Sequence, residues 1–260
     1  MKLDFTFAKF QELCDELSNS GYEILTVRDY LQGKNKQKGF IILRHDIDVK
    51  PERGLKMAEI ENEHGIRSTY YIRMTKEVFK PIIIRKIAEM GHEIGYHYET
   101  LDKAKGDKNK AIEIFEQELT KIREICDVDT ICAHGNSLTP WDNRSLWDYY
   151  NFKDYGIIGD AYLSINFERI LYLSDTGRTW GNRYKVKDII SNSYIDILSK
   201  IRTTDDIIGL LKQKKYNLYL LSHPWWSDGY TTCLKEFFLQ NVKNVGKRGI
   251  IIYRHLRDKL

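Results

Sequence analysis

A parallel-stranded α/β fold, with helices outside a sheet that is open or closed into a barrel, follows from three features of the sequence. Short apolar runs alternate with helix-length segments whose apolar residues recur every three to four positions. Gly65 and Gly91 end two of those segments just before the next apolar run. The run Phe40-Ile41-Ile42-Leu43 is apolar without interruption, the pattern of a strand covered on both faces, and turns polar at Arg44-His45-Asp46-Ile47-Asp48. Repeated β-then-α units of this length give parallel strands with crossover helices.

The elements follow in order. Residues 4–20 carry a helical stripe (Phe7, Phe10, Leu13, Cys14, Leu17), with Asp4 or Thr6 as cap and Asn19-Ser20-Gly21 as stop. Residues 26–32 read as a short helix and Gly33 to Gly39 as a basic loop. After the strand that starts at Phe40, Pro51 to His64 reads as a helix, Ser68 to Ile72 as a strand and 76–90 as a helix. Glu93 to Tyr98 is the next strand, followed by a helix over 107–126 and a strand at Thr130-Ile131-Cys132-Ala133. Residues 136–200 break the rhythm, with turns and strand-like pieces rich in Asn, Ser and aromatics. The rhythm then resumes with a helix at 205–213, a strand at Leu218 to Leu221 and a helix at 228–244. No repeat or linker interrupts the chain, so one domain over 1–260 is expected.

Composition narrows the class. Hydrophobic residues at 42% and charged residues at 30% describe a globular chain rather than a disordered or membrane one. A net charge of +4, spread along the sequence, gives no argument for nucleic acid. No apolar run approaches the roughly 18 residues of a membrane span. Cys14, Cys126, Cys132 and Cys233 show no CxxC pair, and the first residues lack the apolar core of a signal peptide. Reduced thiols and a cytoplasmic location are therefore expected. Oligomeric state is not legible.

Four of the seven histidines share an address. His45, His97, His134 and His223 each fall at or just past the C-terminal end of an expected strand, where parallel α/β folds place their chemistry. Asp46 and Asp48, two residues apart, point off one such end together. A competing reading makes one of them the cap of the helix that Pro51 opens. His64, His92 and His255 read as surface or terminus residues. Carboxylates and imidazoles converging on one pocket form the ligand set of a divalent transition metal, with zinc the leading choice. Three protein ligands would leave a position open and other groups free for proton transfer.

His45-Asp46-Ile47-Asp48, then Gly91-His92-Glu93-Ile94-Gly95-Tyr96-His97, then Leu220-Leu221-Ser222-His223 resembles the polysaccharide deacetylase family, the NodB-like carbohydrate esterases of family 4 type. The resemblance spans roughly residues 40–225, and the Gly-His-Glu-Ile-Gly-x-His segment is its most specific part. It implies a distorted (β/α) barrel that removes acetyl groups from N-acetylated sugars with a divalent metal. It implies Asp46 as catalytic base, Asp48 and His97 as metal ligands and His223 as catalytic acid. Two departures stand out: Leu101 occupies the place of the family's second metal histidine, and Ala133-His134-Gly135 replaces its Arg-x-Pro motif. His134 is the expected replacement ligand, with Glu99 as the alternative or as a group lining the substrate site.

Further substrate contacts are expected from Asp175 and Arg178 in the turn Ser174-Asp175-Thr176-Gly177-Arg178, and from Trp226 or its neighbour Trp225 stacking on a sugar face. Asp175 has a second reading, as the group that orients the catalytic pair. The expected partner is a carbohydrate, a precursor in surface-polysaccharide biosynthesis. Two alternatives accompany this reading: hydrolysis of another non-peptide C–N bond on the same barrel, or a catalytically silent carbohydrate-binding protein.

Overall fold

The computed structural model describes residues 3–34, 39–136, 138–181 and 194–257. The centre of the expected basic loop and residues 182–193 of the irregular stretch lie outside these. The elements run α1 (Phe7–Asn19), β1 (Glu23–Leu25), α2 (Val27–Leu31), β2 (Phe40–Ile47), α3 (Pro51–Glu63), β3 (Thr69–Arg73) and α4 (Pro81–Glu89). They continue with β4 (Glu93–Tyr98), α5 (Thr100–Lys103), α6 (Lys108–Arg123), β5 (Thr130–Ala133), β6 (Gly159–Asp160) and β7 (Ile170–Ser174). The last are α7 (Ile195–Leu198), α8 (Thr204–Gln213), β8 (Asn217–Ser222) and α9 (Tyr230–Arg257).

Every strand pairing is parallel, in the order β6-β5-β4-β3-β2-β8-β7, with β1 also on β2. Laid flat, β5 and β7 would stand about 24 Å apart, five strand spacings. Instead Arg44 of β2 reaches both, donating to Cys132 Sγ of β5 at 2.8 Å and to the Tyr172 hydroxyl of β7 at 3.5 Å. The sheet is therefore curled into a distorted barrel with helices outside.

Strand parity decides which residues fill it. Phe40, Ile42, Tyr71, Cys132, Tyr172, Tyr219 and Leu221 pack inward, while Ile41, Leu43, Tyr70, Ile72, Tyr96, Leu218 and Leu220 pack against the helices. Gly95 is the small residue that the interior requires, because a Cβ there would stand 2.2 Å from the Tyr71 ring. At the N-terminal mouth, backbone N–H groups of Val27 and Arg28 at the start of α2 bond Thr69 and Glu93, which stopper that end.

Several local expectations change. Thr6 caps α1 through Lys9 N–H, as one of the two candidates. α4 starts at Pro81 rather than 76, since proline's fixed φ suits the first helical position and residues before it turn. α9 runs well past 244, to Arg257. Lys50, in the left-handed region, is the residue preceding α3 and makes no side-chain cap, so neither Asp46 nor Asp48 is spent as a cap. β1 is an unexpected strand of three residues, and β6 and β7 are the strands within the irregular stretch, whose strand-like pieces the sequence does not delimit. Among the described residues, no helix is long and apolar enough to cross a membrane.

Candidate active site

Parity carries Asp46 and then Asp48 up the inner face of β2 to the C-terminal mouth. His97 ends the inner row of β4, His134 follows that of β5, and His223 follows that of β8. Five residues far apart in sequence thus meet at one rim.

Their geometry is close. Asp48 Oδ1 lies 3.0 Å from His134 Nδ1 and 3.2 Å from His97 Nε2, and the two ring nitrogens are 3.3 Å apart. His97 Nδ1 is 3.0 Å from the Cys132 carbonyl, a contact that makes Nδ1–H the donor and leaves a lone pair on Nε2 toward Asp48. Burial would raise the Asp48 carboxyl, but the two imidazoles hold it well below the usual range. Among the described residues, buried Asp46 Oδ1 has no hydrogen-bond partner, and Asp48 Oδ1 faces only the two ring nitrogens. One carboxylate and two imidazoles whose oxygen and nitrogen lone pairs converge on one point fit a divalent transition metal.

Asp46 lies deeper. Its Oδ2 is 3.5 Å from the Arg44 guanidinium, 3.8 Å from His97 Nε2 and 3.8 Å from Cys132 Sγ. Arg44 is fully buried among the rings of Tyr71, Tyr162 and Tyr219, so its charge is held on π faces and by Asp46. Sequence reasoning missed Arg44; its position two residues before Asp46, hence on the same face, was the available signal.

His223 stands on the other side of Asp48, its Nε2 3.8 Å from Asp48 Oδ2. Burial opposes its protonation, yet the Asp175 carboxylate 2.6 Å from Nδ1 raises it to about 9. Asp175 also accepts the Ser222 hydroxyl, which in turn accepts Trp226 Nε1–H. Asp175 is wholly buried, with its carboxylate on the ring and backbone N–H of His223.

Four expected residues stand elsewhere. His45, one residue out of phase with Asp46, faces the helices and bonds Glu61 of α3 at 2.7 Å. Glu99 is outside the ligand cluster, its carboxylate engaged by Arg73 at 2.5 Å and by Lys103 at 3.5 Å. Trp226 is buried between Phe5 and Phe10 and has no face for a sugar; Trp225 instead stacks beside His223, ring centroids 5.7 Å apart. His92 is not a surface residue either: it is buried, accepting Ser68 N–H at Nδ1 and facing the Ala58 carbonyl with Nε2. Arg178 lines a neighbouring cavity and bonds Glu236 at 2.8 Å.

No protein-family model matches the chain, and no curated protein matches it. Among solved structures, the chain is similar to a Mycobacterium smegmatis protein described as a "putative polysaccharide deacetylase", at 15% identity and a TM-score of 0.46, covering 77% of this chain and 82% of that one. It is similar also to Bacillus subtilis PdaA, a family 4 carbohydrate esterase, at 15% identity and a TM-score of 0.41, covering 83% of each chain.

Proposed function

We propose that this protein is a metal-dependent hydrolase that removes the acetyl group from an N-acetylated sugar of the kind assembled into surface polysaccharides. The observation that carries the reading is the Asp48–His97–His134 cluster with a carboxylate, Asp46, on one side and an imidazole, His223, on the other. The sequence motifs around Asp46, His97 and His223 support the same assignment.

Asp48, His97 and His134 would hold the ion, each through the atom that already faces the others. When bound, a zinc-like ion supplies Lewis acidity toward the acetyl carbonyl and the attacking water. The rest falls to the chain. Asp46, with Oδ1 unpartnered among the described residues and Oδ2 steadied by Arg44, accepts the proton that the attacking water gives up. His223 carries a proton at neutral pH and offers it from Nε2, because Nδ1–H is committed to Asp175. That proton goes to the sugar nitrogen as its bond to the acetyl carbon breaks, giving acetate and a free amine. A binding module has no need of both a base and an acid whose proton affinity is raised by a dedicated carboxylate.

The test is metal content of protein purified without added metal, followed by acetate release from a panel of N-acetylated sugars and non-sugar amides. About one equivalent of ion per chain and release from sugars is the expected result. Failure to take up metal on titration would remove the hydrolytic reading. Release from non-sugar amides alone would replace the substrate.

A further inference from the structure

A cavity of about 440 Å³ opens beside the candidate site, walled by the first four turns of α9 and by the segments that follow Asp48 and His223. Its charges are Lys50, Arg178, Lys235 and Lys243 against a single carboxylate, Glu236. That carboxylate is already saturated. Lys50 lies 2.5 Å from Oε1, Arg53 bonds both oxygens at 2.9 and 3.0 Å, and Arg178 bonds Oε2 at 2.8 Å. Lys235 and Lys243 have no ion-pair partner among the described residues.

Two of its wall residues adjoin the site. Lys50 comes two residues after Asp48, and Trp225, which forms another part of the wall, comes two after His223 and stacks beside its ring. Lys50 and Arg178 both sit in the left-handed region, at φ of 54° and 55°, which neither side chain favours. Backbone strain of this kind collects where a fold fixes groups for a ligand. Arg178 is held there by its own N–H on the Asp175 carbonyl, so the residue that orients His223 also sets the guanidinium. The Arg178 side chain is almost fully buried, its guanidinium fixed in the cavity wall by Glu236 Oε2 and by Cys233 Sγ at 3.5 Å.

Resting on the sugar-deacetylase reading above, we propose that the substrate carries a phosphoryl group that this cavity binds. The sugar ring then lies against Trp225, with its acetamide at Asp48–His97–His134 and its phosphoryl oxygens among Arg178, Lys235 and Lys243. The surplus of three positive charges suits the doubly charged phosphoryl group better than a single carboxylate. The chemistry is shared by nucleotide-linked and lipid-linked sugars.

The experiment compares the metal-loaded wild type with Lys235→Glu/Lys243→Glu, both exposed positions on α9. Substrates are methyl N-acetylglucosaminide, N-acetylglucosamine 1-phosphate, its uridine diphosphate conjugate and its polyprenyl diphosphate conjugate in neutral micelles. We expect kcat/KM at least about tenfold higher for phosphorylated substrates in wild type. Charge reversal or 0.5 M salt (roughly a 4 Å screening length) should remove that preference and leave the neutral glycoside unaffected. The conjugate with the larger gain names the source of the phosphoryl group. Equal kcat/KM for neutral and phosphorylated sugars, or a preference that survives charge reversal, overturns the proposal while leaving the deacetylase reading intact. If no acetamide is hydrolysed, calorimetric Kd values for the same ligands decide: tighter phosphate binding lost on charge reversal upholds the cavity, and no discrimination removes it.

Discussion

The Asp175 carboxylate grips His223 twice, with Oδ1 2.6 Å from the ring Nδ1 and Oδ2 accepting the residue's own backbone N–H at 3.0 Å. One contact fixes where the ring starts and the other fixes which nitrogen faces the pocket. Burial pulls the imidazole toward neutrality, and the carboxylate overcomes it to reach about 9. A proton donor with this value works below it and fails as pH rises through it. Asp175→Asn removes the largest opposing charge and leaves the burial, with Asp48 and Asp46 still in place. The alkaline limb of kcat/KM should therefore move toward acid pH, with a loss of about 10²-fold at pH 8. An alkaline limb left in place by Asp175→Asn would assign the donor to another group.

The choice between His134 and Glu99 as third ligand can be made by metal titration. Asp48→Ala and His97→Ala should abolish stoichiometric uptake, and His134→Ala should weaken it by at least roughly 10- to 100-fold, the loss seen even when a supporting group is removed. Glu99→Gln should bind metal normally, because Arg73 and Lys103 already occupy its carboxylate. Normal affinity in His134→Ala with loss in Glu99→Gln would reverse the assignment.

Arg44 offers a test of the barrel interior. Its guanidinium is fully buried against three tyrosine rings and stands 3.5 Å from Asp46. Arg44→Met keeps much of the volume but leaves the Asp46 carboxylate buried without its cation, a change worth about 3–5 kcal/mol in comparable buried pairs. Urea unfolding should show that loss, and the variant should also be impaired in turnover. A midpoint within error of wild type would mean that Arg44 does not hold Asp46.

What the sequence made legible was whatever strand parity and run length encode. Phe40 to Leu43 announces a covered strand, and Asp46, His97 and His223 then follow from where their strands end. His45 was misplaced because position along a strand was weighed without its face: it is one residue from Asp46 and therefore points to Glu61. For Asp175 the polar turn leaves sugar contact and orientation of the catalytic pair both open, since its partner lies 48 residues on and no local pattern joins them. The difference between Trp225 and Trp226 was hidden for the same reason. Adjacent residues leave the chain in different directions, and Phe5 and Phe10 decide which one is core.

The attachment of α9 has its own pH signature. Glu236 joins that helix to Lys50 and Arg53 beside α3 and to Arg178 in the turn after β7. Burial would raise its carboxyl, but Arg53 and Lys50, with Arg178, bring it from the usual 4.5 to about 2. The folded state thus holds this carboxylate ionised at pH values where the unfolded chain takes up a proton. Its contribution is complete above about pH 4.5 and is lost as pH falls toward 2. The group is partly exposed, so solvent screening keeps the total near about 1 kcal/mol, or about 2–4 °C in Tm for a chain of this size. Glu236→Gln should therefore melt earlier than wild type by that margin between pH 5 and 8, and the gap should narrow steadily below pH 4.5. A gap that stays constant down to pH 3 would assign the loss to packing around α9 rather than to the charge.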